Sequence, residues 1–266
     1  MLKAVLFDLD DTLIDWSTFT DQWETLETEL LGGVFEYFRA EVQPLDDFET
    51  YVRRFMENSR LSWESANGNL IAPHVGRVLM QAAADMGAPI DNLDMARVLE
   101  AYKWKAVVGV APFPEVIDAL KVLHQFGVRT GIVTNAFQPM AMRDVEIGEH
   151  GLLDYFPDCR ISAADVGYLK PHPTIFQTAL DCLGTKAEET VFVGDNLTAD
   201  IVGAQRSGMK AVWREVHSRF NPPSAFHELV KPDATVNDLS ALPAIFDEWY
   251  PGWRPVDNSG ANGHEG

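Results

Sequence analysis

Two rhythms of apolar and polar positions divide this 266-residue chain. Residues 4–7 (AVLF) form a short apolar run that closes on the acidic stretch DLDD, and runs of the same kind return beyond residue 110 as VRTGIVTNA, CRISA, TVFVGD and KAVWR. Each is too short for a helix and ends in polar residues, which predicts strands. Between them lie EVIDALKVLHQFG, PTIFQTALDCLG and TADIVGAQRSG, whose apolar positions recur every three to four residues and which stop at or near a glycine, as helices do. Strand and helix in strict alternation predict a doubly wound α/β fold, a parallel sheet with helices on both faces.

From Trp16 to Gly109 the strand signal vanishes. Four helical stretches take its place, near residues 17–40, 46–66, 73–86 and 92–107, with WETLETELLGGVFEYF and NLDMARVLEAYKWKAVV the most plainly amphipathic. A structureless excursion of about 90 residues is implausible within a compact domain, so the segment is expected to be an inserted all-helical domain. The expected division is an α/β domain of residues 1–15 and 110–250, a helical insert of residues 16–109, and a polar, Gly- and Asn-rich tail of residues 251–266 without fixed structure.

Charge narrows the partners. Forty acidic against 21 basic residues leave a formal charge of −19, which repels nucleic acid backbones and anionic membranes, so neither a nucleic acid polymer nor a membrane is expected as a partner. The first residues read as a strand rather than as the basic and apolar regions of an export signal, and a cytoplasmic protein is expected. Cys159 and Cys182 have neither the spacing of a zinc site nor that of a redox pair and are expected as buried, unpaired thiols.

Candidate chemistry collects where an open parallel sheet binds ligands, beyond the carboxyl ends of its strands. Asp8 and Asp10 follow AVLF, Thr134 and Asn135 follow GIV, Lys170 sits in the loop GYLKPHP, and Asp195 and Asp200 follow VFVG. Two residues apart on an extended chain, Asp8 and Asp10 point to one side, and with Asp195 they make an oxygen-rich site suited to Mg²⁺. Asp10 can contribute its backbone carbonyl as a ligand and leave its carboxyl group free for proton transfer. Taken singly, Asp11 and Asp15 read as solvated loop or capping residues, Thr134 and Asn135 as a strand end and N-cap before FQPMAMRDVE, Lys170 as a loop lysine, and Asp200 as a helix-dipole partner. Together, a Thr hydroxyl with free helix N–H groups would bind phosphate, and Lys170 would be a fixed positive charge beside it.

The four segments DLDDTL, IVTNA, LKPHPTIF and GDNLTAD resemble, in this order and at these strand ends, the four motifs of the haloacid dehalogenase superfamily, and the helical insert after the first motif resembles that family's cap of the first type. The resemblance covers the α/β portion. It implies Asp8 as a nucleophile that takes up a phosphoryl group, Asp10 as general acid and base, and Thr12 as a support of the loop. It further implies Thr134 as a phosphate ligand, Lys170 as a stabiliser of phosphate and Asp8, Asp195 as a Mg²⁺ ligand and Asp200 as support of the metal site. The expected activity is Mg²⁺-dependent hydrolysis of small phosphate monoesters through an aspartyl-phosphate, with a small phosphorylated metabolite as substrate.

Within that resemblance, dehalogenases and phosphonate hydrolases lack an aspartate two residues after the nucleophile, so Asp10 speaks for phosphoryl chemistry and Lys103 and Lys105 read as surface charges. Sugar phosphate mutases keep that aspartate and are the enzyme alternative. A non-catalytic phosphate-binding protein is the alternative of another class. In the insert, Trp16, Trp23, Trp63 and Trp104 with Arg53, Arg54, Arg60 and Arg77 are candidate substrate contacts, most of them expected instead in the insert's core and on solvated helix faces.

Overall fold

The computed structural model describes residues 1–19, 23–216 and 229–255. The chain runs β1 (Ala4–Phe7), β2 (Ile14–Asp15), α1 (Trp23–Tyr37), α2 (Phe48–Asn69), α3 (Val75–Ala84), α4 (Met95–Tyr102), β3 (Ala111–Pro112), α5 (Val116–Gln125), β4 (Arg129–Thr134) and α6 (Met140–Glu149). It continues with β5 (Cys159–Ser162), α7 (Ala163–Val166), α8 (Pro173–Leu183), β6 (Thr190–Gly194), α9 (Gly203–Arg206), β7 (Lys210–Arg214), β8 (Ala234–Val236) and α10 (Leu242–Trp249).

Among the described residues six strands form one parallel sheet in the order β5-β4-β1-β6-β7-β8. Its central strand β1 is apolar and buried at every position because both faces are covered. Val5 and Phe7 pack with α5, α6 and α10 on one face, while Ala4 and Leu6 pack with α8 and α9 on the other. The chain reverses direction across the sheet at β1, the central strand, so the carboxyl ends of β1, β4 and β6 open side by side.

The four expected helices of the insert are present and enclose their own apolar core around Tyr51, Phe55, Leu79, Val98 and Tyr102, closed below by Met142 of α6. Asp47 caps α2 through the Thr50 N–H at 2.8 Å, and Asp94 caps α4 through that of Ala96 at 2.9 Å. The fourth helix ends at Tyr102 rather than near residue 107, because Lys103 adopts a left-handed backbone (φ 51°) that turns Trp104 back towards the sheet. The two crossings between sheet domain and insert lie side by side: β2 pairs antiparallel with β3, Asp15 opposite Ala111.

Three expectations are corrected. Cys159 is buried but Cys182, on the outer side of α8, is exposed. Residues 251–255 belong to the fold, since Trp253 is buried against Phe126 and Phe246 of the sheet domain; the rest of the predicted tail lies outside the described residues. Asp11 is buried in a left-handed turn (φ 58°) and accepts the Trp16 N–H at 3.2 Å. Asp15, the last residue of β2, is partly exposed and accepts the Ser17 N–H. Lys103 and Lys105 are exposed, the latter paired with Glu29, and among the described residues no helix is long and apolar enough to cross a membrane.

Candidate active site

A cavity of about 710 Å³ opens between the strand ends and the insert, and Asp8, Asp10, Thr134, Asn135, Lys170, Asp195 and Asp200 all line it. Thr12 does not. It is fully buried behind Asp11, its hydroxyl has no partner among the described residues, and its carbonyl accepts the Arg214 Nη1–H at 3.0 Å. Its place is structural, inside the turn that follows β1.

Lys170 anchors the arrangement. The ammonium is only 3 % exposed, donates to Asp8 Oδ1 at 2.6 Å and to the Val133 carbonyl at 2.8 Å, and lies 2.7 Å from Asp200 Oδ1. Burial alone would lower its pKa, but the two facing carboxylates outweigh it and raise it, so the group stays charged. Its loop is held by Asn135, whose Oδ1 accepts the Lys170 N–H at 2.7 Å and whose Nδ2 donates to the Lys170 carbonyl at 3.2 Å. Asn135 is therefore a clamp on the lysine loop and not the N-cap expected: α6 begins only at Met140, whose N–H is already given to Asp165. Thr134 is thus separated from the start of α6 by five loop residues, although Thr134 and Asn135 both line the cavity. The Thr134 hydroxyl accepts the Ala136 N–H at 3.2 Å and lies 3.4 Å from Asp10 Oδ2.

Carboxylate oxygens of Asp8, Asp195 and Asp200 all lie within 4.8 Å of one another. Asp200 reaches this position because Gly194, the last residue of β6, has no side chain: a Cβ there would sit 2.3 Å from Asp200 Oδ2. That same oxygen accepts the Asn196 N–H at 3.0 Å, and the Asp195 carbonyl accepts the Trp213 indole N–H at 2.8 Å, so Asp200 is held by the turn that carries it and Asp195 by the neighbouring strand β7. Burial pushes the Asp8 carboxyl up to about 7; Asp200 and Asp10 add to the rise, and Lys170 opposes it. Three clustered carboxylates facing one ammonium are short of positive charge, and an all-oxygen donor set suits a hard divalent cation.

Asp10 lies apart from that cluster and is gripped by groups the sequence had not suggested. Arg143 on α6 donates from Nη2 to Asp10 Oδ1 at 2.6 Å, and the Trp16 indole N–H donates to the same oxygen at 2.9 Å. Arg143 Nε is 2.9 Å from Glu146 Oε2, which also accepts the Trp104 indole N–H at 3.2 Å. Glu146 is fully buried, and burial raises its carboxyl against the pull of Arg143. Arg143 and Glu146 fall three residues apart in a helix that reads as an ordinary amphipathic element; charged residues at apolar-face positions were the only signal.

All four insert tryptophans line the cavity, including Trp16 and Trp104, which are at the same time buried in the packing beneath it. Arg53, Arg54, Arg60 and Arg77 do stand on exposed helix faces, away from the cavity. The end of α2 is fastened to the lysine loop: Leu169 N–H donates to the Leu70 carbonyl at 2.9 Å and Ala72 N–H to that of Gly167 at 3.0 Å.

A family model described as haloacid dehalogenase-like hydrolase matches residues 2–208. The chain is 37 % identical over 254 residues to the pyrophosphatase PpaX of Bacillus cereus, covering 93 % of this chain and 97 % of that protein. It is 32 % identical over 215 residues to the glyceraldehyde 3-phosphate phosphatase of Methanopyrus kandleri, covering 80 % and 83 %. Among solved structures, a HAD phosphatase from Thermococcus onnurineus superposes with a TM-score of 0.60 at 25 % identity, covering 92 % of this chain and 98 % of the other. A 2-haloacid dehalogenase from Pseudomonas syringae pv. Tomato superposes with a TM-score of 0.58 at 28 % identity, covering 94 % and 100 %.

Proposed function

Since the chain belongs to the haloacid dehalogenase-like hydrolases and its relatives are phosphatases, we propose that it hydrolyses small phosphate monoesters through a phosphoryl group carried on Asp8 and with the help of Mg²⁺. One observation carries this reading: Asp8 and Asp10 stand in one cavity, two residues apart, but in opposite surroundings. Asp8 faces an ammonium and two further carboxylates, whereas Asp10 faces a guanidinium and an indole N–H.

In the proposed first step an Asp8 carboxylate oxygen attacks phosphorus and the ester oxygen departs with a proton from Asp10. In the second, Asp10 takes a proton from water, whose oxygen attacks phosphorus and returns the Asp8 carboxylate. Lys170 neutralises charge at Asp8 and at the transferring phosphoryl oxygens. Asp8, Asp195 and Asp200 are the side chains that would hold Mg²⁺, together with the Asp10 carbonyl. When bound, the ion supplies the positive charge that lets an anionic nucleophile approach an anionic phosphate. Arg143 and Trp16 fix the Asp10 carboxyl group beside the leaving group.

A carboxyl group held for proton transfer favours phosphoryl over halide displacement, since a departing halide needs no acid. The reading is tested with p-nitrophenyl phosphate. Phosphate release should stop in excess chelator and resume with Mg²⁺, and acid-quenched protein should carry one added phosphoryl group on the peptide containing Asp8. Full turnover in chelator, or a label elsewhere, overturns it.

A further inference from the structure

The cavity has a second half, away from the carboxylates, that the chemistry above does not use. One stripe of α2 faces it, Trp63, Ala66 and Asn67 at the i, i+3, i+4 spacing of a single helix face, continued by Leu70, the left-handed residue that ends the helix. Opposite, in the loop after β4, stand Phe137 and Gln138. The Trp63 and Phe137 rings touch, with centroids 6.2 Å apart and planes tilted by 48°, and both rings are only half-buried. Together they form an apolar wall with one face open to the cavity.

Two features of this half are chemically specific. Gln138 is 4 % exposed, yet its side-chain amide has no hydrogen-bond partner among the described residues; Asn67 and the Trp63 indole N–H likewise lack one. An amide that lines a cavity with no protein partner keeps its N–H donors and its carbonyl acceptor open to a ligand. Charge is the other feature. The described cavity lining holds five carboxylates and two cations, and both cations are already paired, Lys170 with Asp8 and Asp200, Arg143 with Asp10 and Glu146. A second anionic group on the substrate would find no unpaired cation in this lining and would meet a surplus of negative charge.

From these observations we infer that the physiological ester is a phosphomonoester of an uncharged alcohol bearing a flat ring with hydrogen-bonding edges. The ring lies on the Trp63–Phe137 wall and its edge pairs with the amides of Gln138 and Asn67. Stacking on an aromatic face and an amide reading a donor–acceptor edge are the usual means of holding such a heterocycle. The inference rests on the phosphatase reading and narrows it to one substrate class, distinct from the pyrophosphate and glyceraldehyde 3-phosphate named for the relatives.

The test compares kcat/KM for nucleoside 5′-monophosphates, glycerol 3-phosphate, and two substrates with anionic leaving groups, the anhydride pyrophosphate and the ester phosphoglycolate, with p-nitrophenyl phosphate as the check on catalysis. The nucleotides should exceed glycerol 3-phosphate by at least about tenfold and the anionic pair by more than about a hundredfold. Gln138→Ala and Trp63→Ala should shrink the nucleotide-to-glycerol ratio through KM, and Trp63→Phe should keep most of it. Should Trp63→Ala fail to fold, Gln138→Ala and calorimetric titration of the parent protein with the free nucleoside decide the matter, saturable binding being expected. Equal or better turnover of the acyclic or anionic substrates, a ratio unmoved by Gln138→Ala, or no binding of free nucleoside overturns the inference. Turnover of p-nitrophenyl phosphate in those cases leaves the phosphatase reading standing; no turnover of any ester removes both.

Discussion

The two walls of the cavity are made of different material. The sheet side presents ionised groups at strand ends and in the turns behind them, each locked by a partner of opposite charge or by a backbone hydrogen bond. The α2 side presents an indole, two aliphatic residues and an amide, with no charge in the stripe. Reaction with phosphate needs preorganised charge, which only a rigid scaffold holds against its own repulsion. Discrimination among alcohols needs surface that can be resized without disturbing that charge, and a helix face supplies it. Trp16 and Trp104 cross this division: both come from the insert, and both spend their indole N–H groups on carboxylates of the sheet side.

Substitutions test that division, beginning where the loss should be greatest. Asp8→Asn should reduce kcat by about 10⁴-fold or more on every ester alike, with the fold kept, as steady-state assays and circular dichroism would reveal. Selective loss on one ester would mean that the sheet wall also discriminates. Asp10→Asn should cost about 10²- to 10⁴-fold on alkyl esters and less on p-nitrophenyl phosphate, where stopped-flow should record a burst near one equivalent of nitrophenol. Equal losses on both would separate Asp10 from proton transfer.

Arg143→Leu probes the structural side of the same wall. It leaves Glu146 buried without a counter-charge, so urea denaturation should find about 3–5 kcal/mol lost, and the further change Glu146→Leu should recover part of it. The smallest effect belongs to the insert. Burial raises the Glu27 carboxyl to about 7 from 4.5, the Tyr102 hydroxyl at 2.9 Å opposing it. Between those values the folded state keeps a proton that the unfolded chain releases, so stability falls as pH rises from about 4.5 through about 7. Glu27→Gln should flatten that slope, by about 3 kcal/mol across the window, without altering kcat.

Much of this was legible in the residues. Apolar runs without alternation meant strands covered on both faces, and Val5, Phe7, Ala4 and Leu6 pack that way. The placement of polar clusters at strand ends brought Asp8, Asp10, Lys170, Asp195 and Asp200 into one cavity, because in a parallel sheet every such end opens on the same edge. What the residues did not disclose came from contacts across long separations. Arg143 meets Asp10 over 133 positions, and no local pattern marks such a pair. Asn135 was misread for a related reason: the five residues after β4 form a loop before α6 starts, and only the folded loop turns its amide onto Lys170. Asp11, buried through a single left-handed residue, and Trp63, half core and half cavity lining, are cases where one side chain serves two surroundings at once.

The pairing of Ile14 and Asp15 with Pro112 and Ala111 puts the departure and return of the chain about 5 Å apart. Seen from the sheet, 95 residues begin and end at practically one point. An excursion with coincident ends is a closed loop, and a closed loop of any size leaves strand order, register and handedness of the crossovers unchanged. Loop-closure entropy grows only with the logarithm of its length. The helical segment can therefore lengthen, shrink or be exchanged over evolutionary time while the strand ends beneath keep their spacing, so the lineage of the chemistry and the lineage of the substrate are free to diverge.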